Sequence, residues 1–282
     1  MQAATLPTPA PTPSLVAPRA GEFDARILAN DPVNAEYRLM TVAVPDGSAN
    51  ARPGQFFQIL CPHSGALQPF FRRPMSIYRI EPEAGRLSFL YKVTGTGTRT
   101  MAELDPGASI NLFGPLGNGF SLPKDGAPIA LLGRGVGLAT MAPLVSHARE
   151  AGHAVTAILS ARTPELVMSK DEFLEAGARV MTVTDSEGTS AVENVENMLH
   201  ALHGEGRLGA LYVCGSNRLM LAAQRVSRRL GVFGEAALEQ QMACGVGMCF
   251  CCVRPFRQGD EIVHRRVCSE GPVFPLLEAL EW

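Results

Sequence analysis

Cys244, Cys249, Cys252 and Cys268 form a C-x4-C-x2-C…C series near the end of a 282-residue chain. No other stretch restricts the fold around it as much. A short loop that gathers three sulfurs must curl tightly and turn its backbone N–H groups inward, and Gly245 and Gly247 allow the positive φ angles such a curl needs. The spacing is that of plant-type [2Fe–2S] ligation. A zinc site would show paired C-x2-C knuckles or Cys/His pairs, whereas four residues separate the first two thiols here. Cys251 breaks the spacing that Cys252 completes, so it is the spare thiol of the loop. Cys61 and Cys214 stand among apolar residues of expected strands and read as small core side chains. The segment predicts a one-electron carrier, with a zinc site and disulfide-bonded or inert thiols as the alternatives.

A chain of 282 residues exceeds one ordinary core, so two or three domains are expected. The net charge of −2 gives no general attraction to nucleic acid. Hydrophobic residues make up 46% of the chain, yet no apolar run approaches the roughly eighteen residues that cross a bilayer. Neither nucleic acid nor a membrane is an expected partner. Seven cysteines, four of them grouped as ligands, fit a reducing cytoplasm better than a secreted disulfide framework. Residues 1–20 are biased to Ala, Pro and Thr, with Arg19 the one charge, and are expected as an extended tail outside the fold. They lack the basic start and continuous apolar segment of a secretion signal.

Behind that tail the chain predicts a multidomain β plus α/β protein. Over 21–125, short strands at Phe23–Leu28, Tyr37–Val44, Gln55–Cys61, Met75–Ile80, Arg86–Tyr91 and Ser109–Phe113, with glycine turns between them, predict an antiparallel barrel or sandwich. Over 126–235 the rhythm becomes strand–helix alternation. Ile129–Leu132, Ala154–Leu159, Arg179–Thr184 and Ala210–Cys214 read as buried strands, with helices at Ala139–Ala151, Ala191–Ala201 and Arg218–Leu230, the pattern of a doubly wound parallel sheet. Over 236–282 periodicity fades around the cysteine loop. A unit this small is expected to depend on its metal site for folding.

Arg73, Pro74, Met75 and Ser76 set a guanidinium and a hydroxyl three residues apart around a rigid proline, a pairing suited to an anionic phosphate and a flat heterocycle. Gly95 and Gly97 open the backbone to close approach, and Thr98 supplies a hydroxyl for a pyrophosphate or an N-cap for the following helix. Residues 114–120, GPLGNGF, are either a domain junction or a ligand contact. Gly133, Gly135 and Gly137 follow a strand and open a helix, the place of a nucleotide-phosphate loop, although the GxGxxG spacing is not met. Cys214 and Gly215 repeat that strand-to-helix transition, which puts both loops at the carboxyl edge of the sheet.

In this order, and with the closing Cys268-Ser269-Glu270-Gly271-Pro272, the motifs resemble the electron-transfer subunit of NAD-dependent, two-subunit dihydroorotate dehydrogenase, within the ferredoxin–NADP reductase superfamily. The resemblance implies that Arg73, Pro74, Met75 and Ser76 bind FAD, with Gly97 and Thr98, beside Gly95, at its pyrophosphate. It implies that Gly133, Gly135, Gly137, Cys214 and Gly215 receive NAD(P)H and that the four spaced cysteines hold the [2Fe–2S] cluster. It further implies an FMN-containing flavoprotein catalytic subunit as partner, in a heterotetramer or other hetero-oligomer, and a place in pyrimidine biosynthesis. Two departures stand out: Arg134 replaces a usual third glycine, and Ser216 a usual proline. Ser160-Ala161-Arg162 lacks the acidic residue that favours an unphosphorylated ribose, so NADH over NADPH rests on the resemblance alone. No acid–base catalytic residue is nominated, and the six histidines read as surface or packing residues. Two other readings remain: a reductase for another terminal partner (an oxygenase, a sulfur-metabolising enzyme or a ferredoxin:NADP oxidoreductase complex), and a non-catalytic electron conduit.

Overall fold

The computed structural model describes residues 20–45 and 47–281; the expected tail, apart from Ala20, lies outside them. The first sheet is built from β1 (Gly21–Pro32), β2 (Tyr37–Ala43), β3 (Phe56–Leu60), β4 (Arg73–Ser76), β5 (Arg79–Glu81), β6 (Arg86–Lys92) and β7 (Ser109–Leu116), with helix α1 (Thr96–Ala102) before the last strand. Its order is β4-β3-β7-β1-β2-β6-β5, and every pairing is antiparallel. The strand expected over Met75–Ile80 is split between the two edges of this sheet. At the break, the Ile77 N–H bonds to the Gln55 carbonyl on the β3 side and the Tyr78 N–H to the Ser88 carbonyl in β6, so the sheet curls back on itself. Ile27, Met40, Phe57, Ile59, Phe89 and Tyr91 fill the inside of the curl.

The second sheet holds parallel strands β8 (Ile129–Arg134), β9 (Val155–Ala161), β10 (Arg179–Thr184), β11 (Ala210–Cys214) and β12 (Phe233–Ala237), in the order β10-β9-β8-β11-β12. Strand β9 is buried at every position, as expected of a strand covered on both faces. Helices α2 (Gly137–Glu150) and α3 (Lys170–Glu175) contribute to one apolar cluster, α4 (Val192–Gly204) and α5 (Asn217–Leu230) to the other. The order reverses between β8 and β11, and that switch point is where open α/β sheets bind ligands.

The last segment forms a hairpin, β13 (Val253–Gln258) with β14 (Glu261–Arg266), then the short helix α6 (Val267–Glu270) and β15 (Val273–Pro275). Strand β15 lies antiparallel on β12, and β12 itself spans the division expected at 235. Cys252, Phe256, Val267, Cys268, Phe274, Leu276 and Ala279 share one apolar cluster with Met220, Ala223 and Val226 of α5. The segment is therefore not packed as a separate unit: part of its core belongs to the parallel sheet, which supports it beside the expected metal site. Residues 114–120 form a junction, since the Asn118 N–H bonds to the Gly271 carbonyl at 2.6 Å and Asn118 Nδ2 to the Glu270 carbonyl at 3.0 Å.

Candidate functional site

The three parts meet around one cavity of about 870 Å³. The first sheet lines it with Arg73, Pro74, Met75, Ser76 and Thr98, and the parallel sheet with Val136, Thr140 and Cys214. Glu239, Met242 and Cys251 come from the segment around the cysteine loop. Of the residues singled out in the sequence, the string 73–76, Thr98 and Cys214 line this space directly. Gly97 stands behind it, where a β-carbon would come within 3.1 Å of Arg73 Nε and 2.9 Å of Cys61 Sγ. Thr98 does not N-cap α1 as the sequence suggested. Gly95 holds that place, and the Thr98 hydroxyl, on the third helical residue, accepts the N–H groups of Thr94 at 2.9 Å and Gly95 at 3.1 Å.

At the switch point Thr140 Oγ1 donates to Ser76 Oγ at 2.8 Å, tying α2 to β4 across the cavity. Burial pushes the Cys214 thiol up, and the Glu239 carboxylate adds to this, against a smaller lowering by Thr140. Burial likewise raises Cys61 to about 11, with Arg73 opposing. Both thiols stay protonated at neutral pH, as expected of core side chains. Desolvation also raises Glu239. Thr140 and Glu239 escaped the sequence reading; the one signal for Thr140 is a hydroxyl within the otherwise apolar opening of α2.

The glycines of the two strand-to-helix turns hold each other in place. A β-carbon on Gly137 would lie 2.7 Å from the Cys214 carbonyl, and one on Gly133 would lie 2.5 Å from Leu138 Cδ2. Gly135 turns at φ +56 and Gly215 at φ +91. Arg134 is held at the ends of neighbouring strands, with Nη1 on Ser160 Oγ at 2.8 Å and Nη2 on Asp185 Oδ2 at 2.5 Å. Arg134 and Ser190 hold the Asp185 carboxyl below the usual carboxylate range. After β9 there is still no acidic residue; Asp185, at the end of β10, is in contact through space with Arg134, the residue that departs from the glycine pattern.

In the cysteine loop Gly245 and Gly247 adopt φ +74 and +81, as a curl around sulfur needs. Cys244 Sγ accepts the Met248 N–H at 3.3 Å and the Val246 N–H at 3.4 Å. Desolvation raises its thiol, but hydrogen bonds from the backbone of Cys249, Val246 and Met248 and from the Cys249 side chain outweigh it and bring it to about 6. Cys252 Sγ accepts the Cys268 N–H at 3.4 Å, and burial, with Cys252 alongside, pushes Cys268 up to about 12. Cys249 thus acts on Cys244 and Cys252 on Cys268, and Cys244 reaches Cys268 as well. Among the described residues no three His, Cys, Asp or Glu side chains gather as a single-ion site would.

Residues 239–279 match the family model of the iron–sulfur cluster binding domain of dihydroorotate dehydrogenase B. The chain is 34% identical over 254 residues to the electron transfer subunit of dihydroorotate dehydrogenase B (NAD(+)) of Desulforamulus reducens, covering 90% of this chain and 96% of that one. Among solved structures it resembles the NADH-dependent reduced ferredoxin-NADP oxidoreductase, with a TM-score of 0.75 at 28% identity over 90% of this chain and 88% of the other. Ferredoxin-NADP+ reductase from Plasmodium falciparum shares the fold at 14% identity, with a TM-score of 0.56 over 73% of this chain and 89% of that one. The antiparallel sheet, the doubly wound sheet and the cysteine segment thus have one common kinship: the chain belongs to the family of electron transfer subunits of dihydroorotate dehydrogenase B.

Proposed function

We propose that the chain moves electrons between NAD(H) and a partner flavoprotein dehydrogenase of the dihydroorotate dehydrogenase type, through FAD and a [2Fe–2S] cluster. The observation that carries this reading is the single cavity on which the string 73–76, the Cys214 strand end and the segment around the cysteine loop converge. Its size suits a dinucleotide cofactor. When bound, FAD takes electrons in pairs and gives them singly, while a [2Fe–2S] cluster takes one at a time.

The chain's own residues hold these groups. Arg73 would offer its guanidinium to a phosphate of FAD, and Thr98 keeps the 94–98 turn closed for the cofactor. The Ser76–Thr140 hydrogen bond fixes the spacing between the first sheet and α2, where nicotinamide would meet flavin. Protonated Cys214 closes the floor of the cavity without charge. Gly133, Gly135, Gly137 and Gly215 give the nucleotide its backbone approach. With Arg134 engaged by Asp185, nucleotide binding is favoured over the conduit reading. Cys244, Cys249, Cys252 and Cys268 are the proposed ligands.

Met248 and Phe250 flank Cys249 and are 78% and 63% exposed, an apolar rim suited to a partner subunit at the cluster. No helix among the described residues is long and apolar enough to cross a membrane. Seven cysteines, four of them the proposed ligands, fit a reducing compartment better than a disulfide framework, and we place the protein in the cytoplasm on that ground. Anaerobic mixing of the purified protein with NADH, and separately with NADPH, tests the reading. Rapid bleaching of the flavin band by NADH is expected; its absence with both nucleotides would refute the assignment.

A further inference from the structure

Strand β3 alternates, so Phe57 and Ile59 enter the barrel core while Phe56 and Gln58 face the other way. Phe56 packs into the apolar cluster that also holds Cys252 and Cys268. Gln58 has no comparable complement. It is 0% exposed, and neither its Oε1 nor its Nε2 has a hydrogen-bond partner among the described residues. An amide buried in this way loses its hydration at both ends without replacement, which native proteins rarely leave unexplained. Its position is specific. A β-carbon on Gly245 would lie 2.8 Å from Gln58 Cγ and 2.9 Å from Nε2, so the residue directly after Cys244 leaves room for the donor end of this amide. On the ladder side Gln58 stands opposite Pro74, and its carbonyl accepts from Arg72 Nη1 at 3.2 Å. One fully buried side chain thus joins the strand assigned to the flavin and the loop assigned to the cluster.

We propose that Gln58 is a positioning residue of the electron path: its amide N–H, which finds no cysteine Sγ as partner, would donate to a sulfur of the bound cluster at the Cys244 end of the loop and so make the cluster easier to reduce. The inference rests on the reading of the four cysteines as cluster ligands. Reduction adds negative charge to the cluster, and a donor aimed at its sulfurs stabilises that charge. The rival is a buried water that satisfies both ends of the amide and leaves the cluster untouched.

The test is a redox titration of the full-length protein with both cofactors bound, followed by visible absorption and by electron paramagnetic resonance. In Gln58→Met the cluster's reduction equilibrium is expected to move about tenfold toward the oxidised form, about 59 mV for one electron, while the FAD equilibrium stays in place. Gln58→His, which keeps an N–H donor, is expected to recover most of the shift. Where the methionine variant does not retain a cluster, Gln58→Asn, an amide too short to reach the loop, serves in the same comparison. Coincident cluster potentials in wild type and variant would overturn the proposal, as would equal shifts in the donor-free and histidine variants. A wild-type protein without any cluster would instead refute the ligand reading, so the two failures are distinct.

Discussion

Gly215→Ala puts the contact between the two nucleotide turns to a quantitative test. Gly215 sits at φ +91, and a β-carbon there would lie 2.1 Å from the Arg134 carbonyl oxygen and 3.1 Å from Gly137 Cα. The left-handed conformation costs an L-residue about 1–2 kcal/mol, and overpacking of this kind adds about 1–3 kcal/mol. The second effect decides the outcome for function. The alanine methyl meets rigid backbone, so it is accommodated only if the β8–α2 and β11–α5 turns separate by roughly 1 Å, the gap between this contact and an ordinary carbon–oxygen approach. A misplacement of about 1 Å costs about 100-fold in a reaction that depends on near-attack geometry. Stopped-flow mixing with NADH under anaerobic conditions should therefore show flavin bleaching slowed about 100-fold. FAD and iron content should match wild type, because the string 73–76, Thr98 and the four spaced cysteines lie outside these turns. A bleaching rate within about threefold of wild type, less than 1 kcal/mol of barrier, would refute the proposed role of the turns.

Cys249→Ser should abolish the electron paramagnetic resonance signal of the reduced cluster and leave FAD bound; an unchanged signal would show the ligand set to be wrong. Burial raises the Glu235 carboxyl from 4.5 to about 7, against the opposing hydrogen bonds from the Ser121 hydroxyl and N–H. The folded state keeps a proton that the unfolded chain releases, so this contribution is full below pH 4.5 and lost as pH rises through about 7. Over that window wild type should lose up to about 3 kcal/mol relative to Glu235→Gln, measured as denaturation midpoints from acid to neutral pH, and parallel curves would contradict this. Thr98→Val removes the acceptor of two N–H groups, a loss of about 1 kcal/mol, and should weaken FAD binding about fivefold in equilibrium dialysis; unchanged affinity would detach the 94–98 turn from the flavin.

The cysteine loop was legible because ligand spacing and glycine curvature are local properties, written in nine consecutive residues. The parallel sheet was legible because buried strands alternate with helices at a readable rhythm, and Arg179–Thr184 and Ala210–Cys214 match the observed strands residue for residue. Met75–Ile80 was read as one strand because its apolar pattern is continuous; which half pairs with β3 and which with β6 is a property of the closed sheet. Strand β15 has three residues, too few to carry a period, and its place is set by β12. Thr140, Asp185, Glu239 and Gln58 drew no notice because each acquires its role from a neighbour distant in sequence. Asp185 illustrates this best: its partner Arg134 lies 51 residues away, and the sequence rule looked for an acid one strand earlier.

The pairing of β15 with β12, together with the clasp of Asn118 on the carbonyls of Glu270 and Gly271, bears on how such proteins can be recombined. With one proposed ligand, Cys268, shortly before β15, and the other three proposed ligands in the loop after β12, the cysteine segment is rooted in the edge of the parallel sheet. It is not a detachable cassette. Grafting 236–282 onto another reductase would transfer the four thiols without the strand that aligns them, whereas a graft that begins before Phe233 and brings a matching 114–120 turn would carry its own foundation.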